Sequence, residues 1–348
     1  MTALLSPVES SPVPDAGRPR LRPSLAGSLM RLALRRAAFA LPVVLAVSAA
    51  IFVLGKASPF DPVAAYFGVR ILRASPAQLA QIREQWGVDD PALQQYATWL
   101  GRLLHGDLGD SRLFSEPVSA VIGERLGWTV LLVSVGLALA LVLALVAGTV
   151  AAWRQGSWFD RTTTALAYAL EAAPVFWVAL GALSLFAVRL QWLPAGGLTD
   201  ARAALGAGQV AQHLLLPAAV LAVSQAPWFT LFVRQSLLEA LSEDYVLGAR
   251  SRGLSERTVV LRHALRTALL PFITLIGARV PELITGALLV ETVFSWPGIA
   301  AATVSAAVAV DFPLLAAVTL LATIGVLVGN LLADMAYAVA DPRVRADG

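Results

Sequence analysis

Residues 129–152 read TVLLVSVGLALALVLALVAGTVAA, an apolar run without a single charge from Thr129 to Ala152. At 1.5 Å rise per residue, roughly 20 apolar residues in a helix cross a hydrocarbon core about 30 Å thick. This run therefore reads as a transmembrane helix, starting near residue 128. Five more stretches satisfy the same test, at about 37–55, 163–188, 214–235, 268–293 and 314–338. Several carry polar or helix-breaking residues: Glu171 and Pro174 in the third span, Pro217 and Pro227 in the fourth. The fifth holds Arg279, Pro281 and Glu282, and the sixth ends in Asn330 and Asp334. Prolines inside spans are tolerated where neighbouring helices satisfy the freed carbonyls.

Composition agrees with the spans. Of 348 residues, 57% are hydrophobic and 14% charged, with a mean hydropathy of +0.72. Soluble domains carry about a quarter charged residues, so the expected class is an all-α integral membrane protein with about six transmembrane helices. There are no cysteines, and His105, His213 and His263 show no metal-ligand spacing. A net charge of +3, with no basic-aromatic stripe, gives no reason to expect nucleic acid as a partner. Lys56 is the only lysine. A phosphate-binding loop needs Gly-Lys followed by Ser or Thr, and Ala57 follows here, so nucleotide binding by that device is excluded. Gly-x-Ser-x-Gly and His-Glu-x-x-His are also absent, and no catalytic, cofactor or metal site is expected.

Arginine placement gives an orientation. Arg31, Arg35 and Arg36 precede the first span, Arg154 and Arg161 follow the second, and five arginines from Arg250 to Arg266 follow the fourth. With Arg343 and Arg345 at the end, the positive-inside rule expects both termini in the cytoplasm of a multi-pass cell-membrane protein. Residues 1–30 hold five prolines among Ser and Arg and read as a disordered tail. Residues 31–117 would form the first span and an external segment, 118–338 a five-span core, and 339–348 a cytoplasmic tail. The external segment is too long for a simple connection, and a helical pattern runs over 76–105. It serves either as a cap packed on the outer span ends or as a docking surface.

Between the fourth and fifth spans, residues 236–267 mix arginine and acid in two helix-sized pieces. Gly253 is placed as a helix C-cap and Ser255 as the next N-cap. A solvated amphipathic linker explains such a mix on its own terms. A charge in mid-span marks a functional site by default. Arg279 and Glu282, three apart, would share a helix face and pair, with Glu171 placed to approach them from the third span. They either line a path for charged solute or lock helices together. Asn330 and Asp334 are expected to pack helices by hydrogen bonding, with gating as the alternative.

A set of motifs in fixed order extends the reading. It includes Gly87-Val-Asp-Asp-Pro91, Gly106-Asp-Leu-Gly109-Asp-Ser111, Gly156-Ser-Trp-Phe-Asp160-Arg161 and Pro174-Val-Phe-Trp177. Asp244-Tyr-Val246, Ala249-Arg-Ser-Arg-Gly-Leu254, Glu291-Thr-Val-Phe-Ser-Trp-Pro-Gly298, Asp311-Phe-Pro313, Asn330-Leu-Leu-Ala-Asp334 and Asp341-Pro-Arg343 follow. In this order the chain resembles the first (B-type) permease subunit of dipeptide, oligopeptide and nickel-type ABC importers. The resemblance implies the type I ABC importer transmembrane fold, with a long external segment between spans one and two. It implies a sister permease, two cytoplasmic ABC ATPases that bind the ATP and Mg, and an extracytoplasmic binding protein. It also makes 236–267 a coupling loop, with Tyr245, Ala249, Arg250, Gly253 and Leu254 at or near the ATPase contact. The implied cargo is peptide, with nickel chelates or another small solute as variants. A stand-alone secondary transporter relaying ions through Arg279, Glu282 and Glu171 is the rival, and an intramembrane hydrolase a more distant one.

Overall fold

The computed structural model describes residues 25–57 and 75–340. Among the described residues thirteen helices follow in order: α1 Leu25–Ala57, α2 Pro76–Trp86, α3 Ala92–Leu104, α4 Val118–Trp153 and α5 Trp158–Glu171. Then come α6 Val175–Ala182, which widens into a π-helical turn over Leu183–Arg189, α7 Ala207–Leu241 and α8 Asp244–Ser251. The helical run of Glu256–Thr258, Val259–Ala264 and Leu265–Ala268 is α9, again π-widened at its centre. Helices α10 Leu270–Ala278, α11 Val280–Val293, α12 Ile299–Ala309 and α13 Phe312–Ala340 complete the described chain. Asp110–Ser111 (β1) and Glu116–Pro117 (β2) form a two-residue antiparallel ladder before α4.

Among the described residues, four helices are long and apolar enough to cross a membrane: Leu29–Ala57, Val118–Trp153, Ala207–Leu241 and Phe312–Val339. A fifth crossing is made if α5 and α6, bent by 104° at the 172–174 break, count as one. The third expected span is therefore a broken one, because Pro174 cannot continue the helix that Glu171 ends. The expected span at 268–293 is also in two pieces. Helix α10 stops at Ala278 and α11 starts at Val280 with proline in its first turn, so Arg279 stands at the junction. Each piece alone is too short to span, so two of the about six expected spans are interrupted among the described residues.

The pair α4–α7 forms the spine. Along α4, the buried face includes Leu132, Gly136, Ala140, Ala144, Gly148 and Ala152, one residue every four. Such a stripe lets a second helix approach closely where no water-driven force operates between spans. A Cβ at Gly136 would press on the Leu221 side chain, and one at Gly148 on the Thr230 carbonyl at 2.8 Å. Facing them, α7 buries Leu221, Ala222, Ala226, Phe229, Val233 and Leu237. Pro217 and Pro227 lie inside α7 and are buried there.

The helices expected over 76–105 are present, and α3 packs on the first span. Tyr96 Oη and Ser48 Oγ lie 2.7 Å apart, and Phe52 meets the rings of Tyr96 and Trp99 at 5.4 and 6.1 Å. The next segment is latched elsewhere: Asp311, buried, accepts the Ser111 hydroxyl at 2.6 Å and the Leu113 N–H at 3.0 Å. This joins the Gly-Asp-Leu-Gly-Asp-Ser and Asp-Phe-Pro motifs in one hydrogen-bonded corner.

Candidate functional site

The sequence after α7 builds a small platform. Helix α8 stops because Gly253 enters the left-handed region at φ +77°, returning its N–H to the Arg250 carbonyl at 2.9 Å. The side chain of Ser255 then accepts the Thr258 N–H, starting α9 as its N-cap. Both caps fall where the sequence places them. One side of α8 is apolar: Val246 and Ala249 are buried against Leu237, Val259, Val260 and Ala264. The other side leaves Tyr245, Leu247 and Arg252 exposed, with Leu254 beyond the cap. Ala249, expected at or near a partner contact, faces inward and backs the platform instead. Arg250 bridges α8 to α9 through Glu256 at 2.7 Å. That hydrogen bond holds the Glu256 carboxyl below its ordinary range.

A second pair fixes the platform's neighbour. Asp160, buried near the start of α5, accepts two hydrogen bonds from Arg234 of α7 at 2.5 and 2.9 Å. It also accepts the Gly156 N–H at 2.8 Å. Arg234 had no place in the sequence reading, since neither its position nor its partner followed from a local pattern.

Two of the mid-span charges, Glu171 and Arg279, come together as the sequence expects. Arg279 reaches Glu171 at 3.2 Å, and its guanidinium lies over the Trp228 ring at 4.2 Å. The side chain of Glu282 lies outside the described residues. Glu171 is the last residue of α5, so the pair joins two membrane segments at their breaks. A cavity of about 270 Å³ opens there, lined by Glu171, Ser224, Gln225, Arg279 and Gly286 among others.

Asn330 and Asp334 do not act as a unit. Asp334 pairs with Arg36 of the first span, while the Asn330 side chain makes no hydrogen bond with the described residues. Helix packing accounts for Asp334, since α1 and α13 lie side by side. A further buried carboxylate, Glu291, ties α11 to α4 and to the start of α12. Its motif was visible in sequence, but its partners Thr129 and Ala301 were not.

Spans interrupted beside paired charges, a cavity at the break and an amphipathic platform between spans define a multi-pass transport protein. The chain belongs to the family of binding-protein-dependent transport system inner membrane components, whose model matches residues 113–346. The N-terminal model of the same membrane component matches residues 29–132. It is thus the permease subunit of an ABC transporter, not an enzyme. It is 38% identical over 318 residues to a protein of Brucella suis biovar 1 named as a peptide permease, covering 91% of this chain and 99% of that one. It is 36% identical over 312 residues to the oligopeptide transport system permease protein AppB of Bacillus subtilis, covering 89% and 98%. The dipeptide transport system permease protein DppB of Alkalihalophilus pseudofirmus is 32% identical over 336 residues, covering 91% and 100%.

Proposed function

We propose that this chain forms, with a sister permease, the path by which short peptides delivered by an extracytoplasmic binding protein cross the cell membrane. Peptide is the cargo in the names of all three relatives, each aligned over nearly its whole length. Two cytoplasmic ATPases bind ATP and Mg and drive the cycle; this chain holds neither. Its termini lie in the cytoplasm, on the side where the arginines cluster.

The observation that carries the mechanism is the two-sided α8. Its inner side is fused to the ends of α7 and α9 through Val246 and Ala249, so displacement of α8 is passed to the spans rather than absorbed. Its outer side offers Tyr245, Leu247 and Leu254, three exposed apolar groups on a cytoplasmic helix, for which an ATPase cleft supplies cover. Arg250 and Gly253 fix the shape of that surface. Closure of the ATPase pair then pushes α8, and the broken spans rearrange around the cavity, giving alternating access.

Gentle detergent extraction from native membranes, followed by mass spectrometry, tests the reading. Co-purification of a second permease and ATP-binding-cassette ATPases is expected. A chain that emerges alone in several detergents would overturn it and would favour ion-coupled transport through Glu171 and Arg279.

A further inference from the structure

At the end of α7 opposite the α8 platform, a buried histidine faces an exposed carboxylate. The His213 side chain, in the second turn of α7, is 2% exposed and that of Asp200 66%. His213 Nδ1 lies 2.9 Å from the Gly196 carbonyl. A carbonyl only accepts, so Nδ1 carries a proton and donates it. In a neutral ring that leaves Nε2 as an acceptor. Nε2 is buried without a hydrogen-bond partner among the described residues, and Asp200 Oδ1, a second acceptor, stands 3.5 Å away. Two acceptors so placed repel unless a positive charge joins them. A bridging water does not fit the gap, because hydrogen bonds of about 2.8 Å to each acceptor hold them roughly 4.5 Å apart. A lasting metal site draws on three or more protein ligands, and no such group of His, Asp and Glu occurs among the described residues. A proton on Nε2 remains. It turns the contact into a charge-assisted hydrogen bond, which Asp200 completes by closing to about 2.7–2.9 Å.

The contact holds a loop. Residues 190–206 join the π-helical end of α6 to α7. The first half of this loop is fixed to α11: the Gly197 N–H donates to the Phe294 carbonyl at 2.9 Å, and a Cβ on Gly196 would stand 2.2 Å from the same oxygen. Leu193 and Leu198 pack on the cluster that holds Leu214, Phe294 and Trp296. The second half is exposed from 201 to 206 except at Ala203. Two contacts tie Asp200 to α7, its N–H to Gln209 at 3.2 Å and its carboxylate to the His213 ring. The other ionisable groups on the packed elements are engaged elsewhere or face solvent. Glu291 of α11 turns to Thr129 and Ala301, and Arg125 of α4 lies over the Phe114 ring. Glu124 of α4, Arg189 of the π-helical turn and Arg202 of the loop are exposed.

We infer that His213 and Asp200 form a proton-operated clasp on the 190–206 loop. With a proton on Nε2 the clasp is an imidazolium–carboxylate bridge and the loop is held to α7. When that proton leaves through Asp200 to the water bathing the loop, two acceptors oppose each other. The Asp200 carboxylate then turns out into solvent and the second half of the loop is released. The sign follows from the charged ring being the form that gains a partner: the clasp is closed at lower pH and opens as pH rises through the range in which histidine changes charge, about pH 5 to 8. Helices α6, α7 and α11 border both the loop and the cavity at the span breaks. The clasp therefore sets how freely their ends on this side part from one another. The inference does not depend on the cargo.

The test uses the full chain, purified with whatever subunits accompany it and placed in lipid nanodiscs. The chain has no cysteine, so Ala204→Cys puts its only thiol on the exposed half of the loop. A nitroxide attached there reports loop mobility by electron paramagnetic resonance, after subtraction of the same preparation without this cysteine. With His213 and Asp200 intact, the immobilised component dominates at about pH 5 and is lost by about pH 8. His213→Asn keeps a donor for the Gly196 carbonyl but has no Nε2, so the label is mobile at both pH values. Asp200→Asn, at an exposed position, offers an amide N–H to neutral Nε2, so the label is immobilised at both. The two variants thus abolish the pH response in opposite directions. Mobility that ignores pH with the clasp intact overturns the inference, and so does a pH response that survives either substitution. Should His213→Asn fail to fold, the Asp200→Asn result decides alone.

Discussion

The Glu291 carboxylate, fully buried, accepts the hydroxyl of Thr129 from a neighbouring helix at 2.6 Å. Its other oxygen accepts the Ala301 N–H in the first turn of α12 at 2.9 Å. Thr129 in turn accepts the Ile299 N–H at 2.9 Å. Two N–H groups of a helix start, which have no partner within the helix, are thus satisfied by side chains of two other helices. Trp296 adds a hydrogen bond to the Trp128 carbonyl at 3.0 Å. The Glu-Thr-Val-Phe-Ser-Trp-Pro-Gly motif is a joint between α11, α12 and α4.

Removing that acceptor orphans buried donors. Glu291→Ala is expected to cost about 1–3 kcal/mol for each donor left unsatisfied. Glu291→Gln retains one acceptor oxygen and loses less. Gly298→Ala should resemble Glu291→Ala although no hydrogen-bonding atom is removed, because a Cβ at Gly298 lands on the Glu291 carboxyl. Thermal unfolding of the purified complex checks the ranking. Equal stability of Gly298→Ala and the unmodified protein would show that the joint is looser than described.

The Asp160–Arg234 pair predicts an asymmetric result. Truncating either partner of a buried ion pair costs about 3–5 kcal/mol, because a buried charge is left behind. Asp160 is 3% exposed and also accepts the Gly156 N–H, so Asp160→Ala leaves both Arg234 and that N–H unpaired. The exchange Asp160→Arg with Arg234→Asp restores the opposite charges but not the Gly156 acceptor. It should recover only part of the stability, read as accumulation of the folded chain in membranes. Full recovery would reduce the site to a simple charge contact.

Legibility in the sequence followed the range of the forces involved. The uncharged run at 129–152 revealed its span because hydropathy is a local sum, and Gly253 and Ser255 revealed two caps because capping is decided within a few residues. The four-residue stripe from Leu132 to Ala152 is equally local, yet it acquires meaning only once Leu221 and Val233 lie against it. Pairings over long separations were not legible. Arg279 could be recognised as a costly mid-span charge, but the geometry of its contact with Glu171, 108 residues away, depends on how distant segments pack. Hydropathy read 163–188 and 268–293 as single spans because it senses apolar length and is blind to helix breaks. The family resemblance supplied what neither local pattern nor charge gave, the partners and the direction of transport.

The Arg250–Glu256 bridge yields a pH expectation with a definite sign. The hydrogen bond from Arg250 lowers the Glu256 pKa below its ordinary value of 4.5. A depressed carboxylate contributes stability above its unfolded pKa and loses it as pH falls through the folded one. The bridge is therefore intact throughout the neutral range and is lost only in acid. Both side chains are more than a third exposed, so its worth is about 0.2–1 kcal/mol. Uptake per ATP hydrolysed should be flat between about pH 6 and 8 for the bridge's part, and Glu256→Gln should leave it nearly unchanged. A steep loss on Glu256→Gln at neutral pH would mean that Glu256 meets a partner subunit directly.

Gly253 separates backbone demand from surface demand. Its φ of +77° is open to glycine, tolerated by asparagine and unfavourable for branched or bulky residues. No atom lies within 4 Å of a Cβ built there, so the fold itself has space for a side chain. Gly253→Asn is thus expected to preserve both membrane insertion and coupling. Gly253→Trp also inserts, since the position faces outward, but it puts a bulky ring beside Leu254 on the surface proposed to meet the ATPase. Hydrolysis then continues while uptake per ATP falls, measured together in the same proteoliposomes. Normal uptake in Gly253→Trp would free this surface from any coupling role, and equal damage from asparagine and tryptophan would assign the effect to the backbone turn alone.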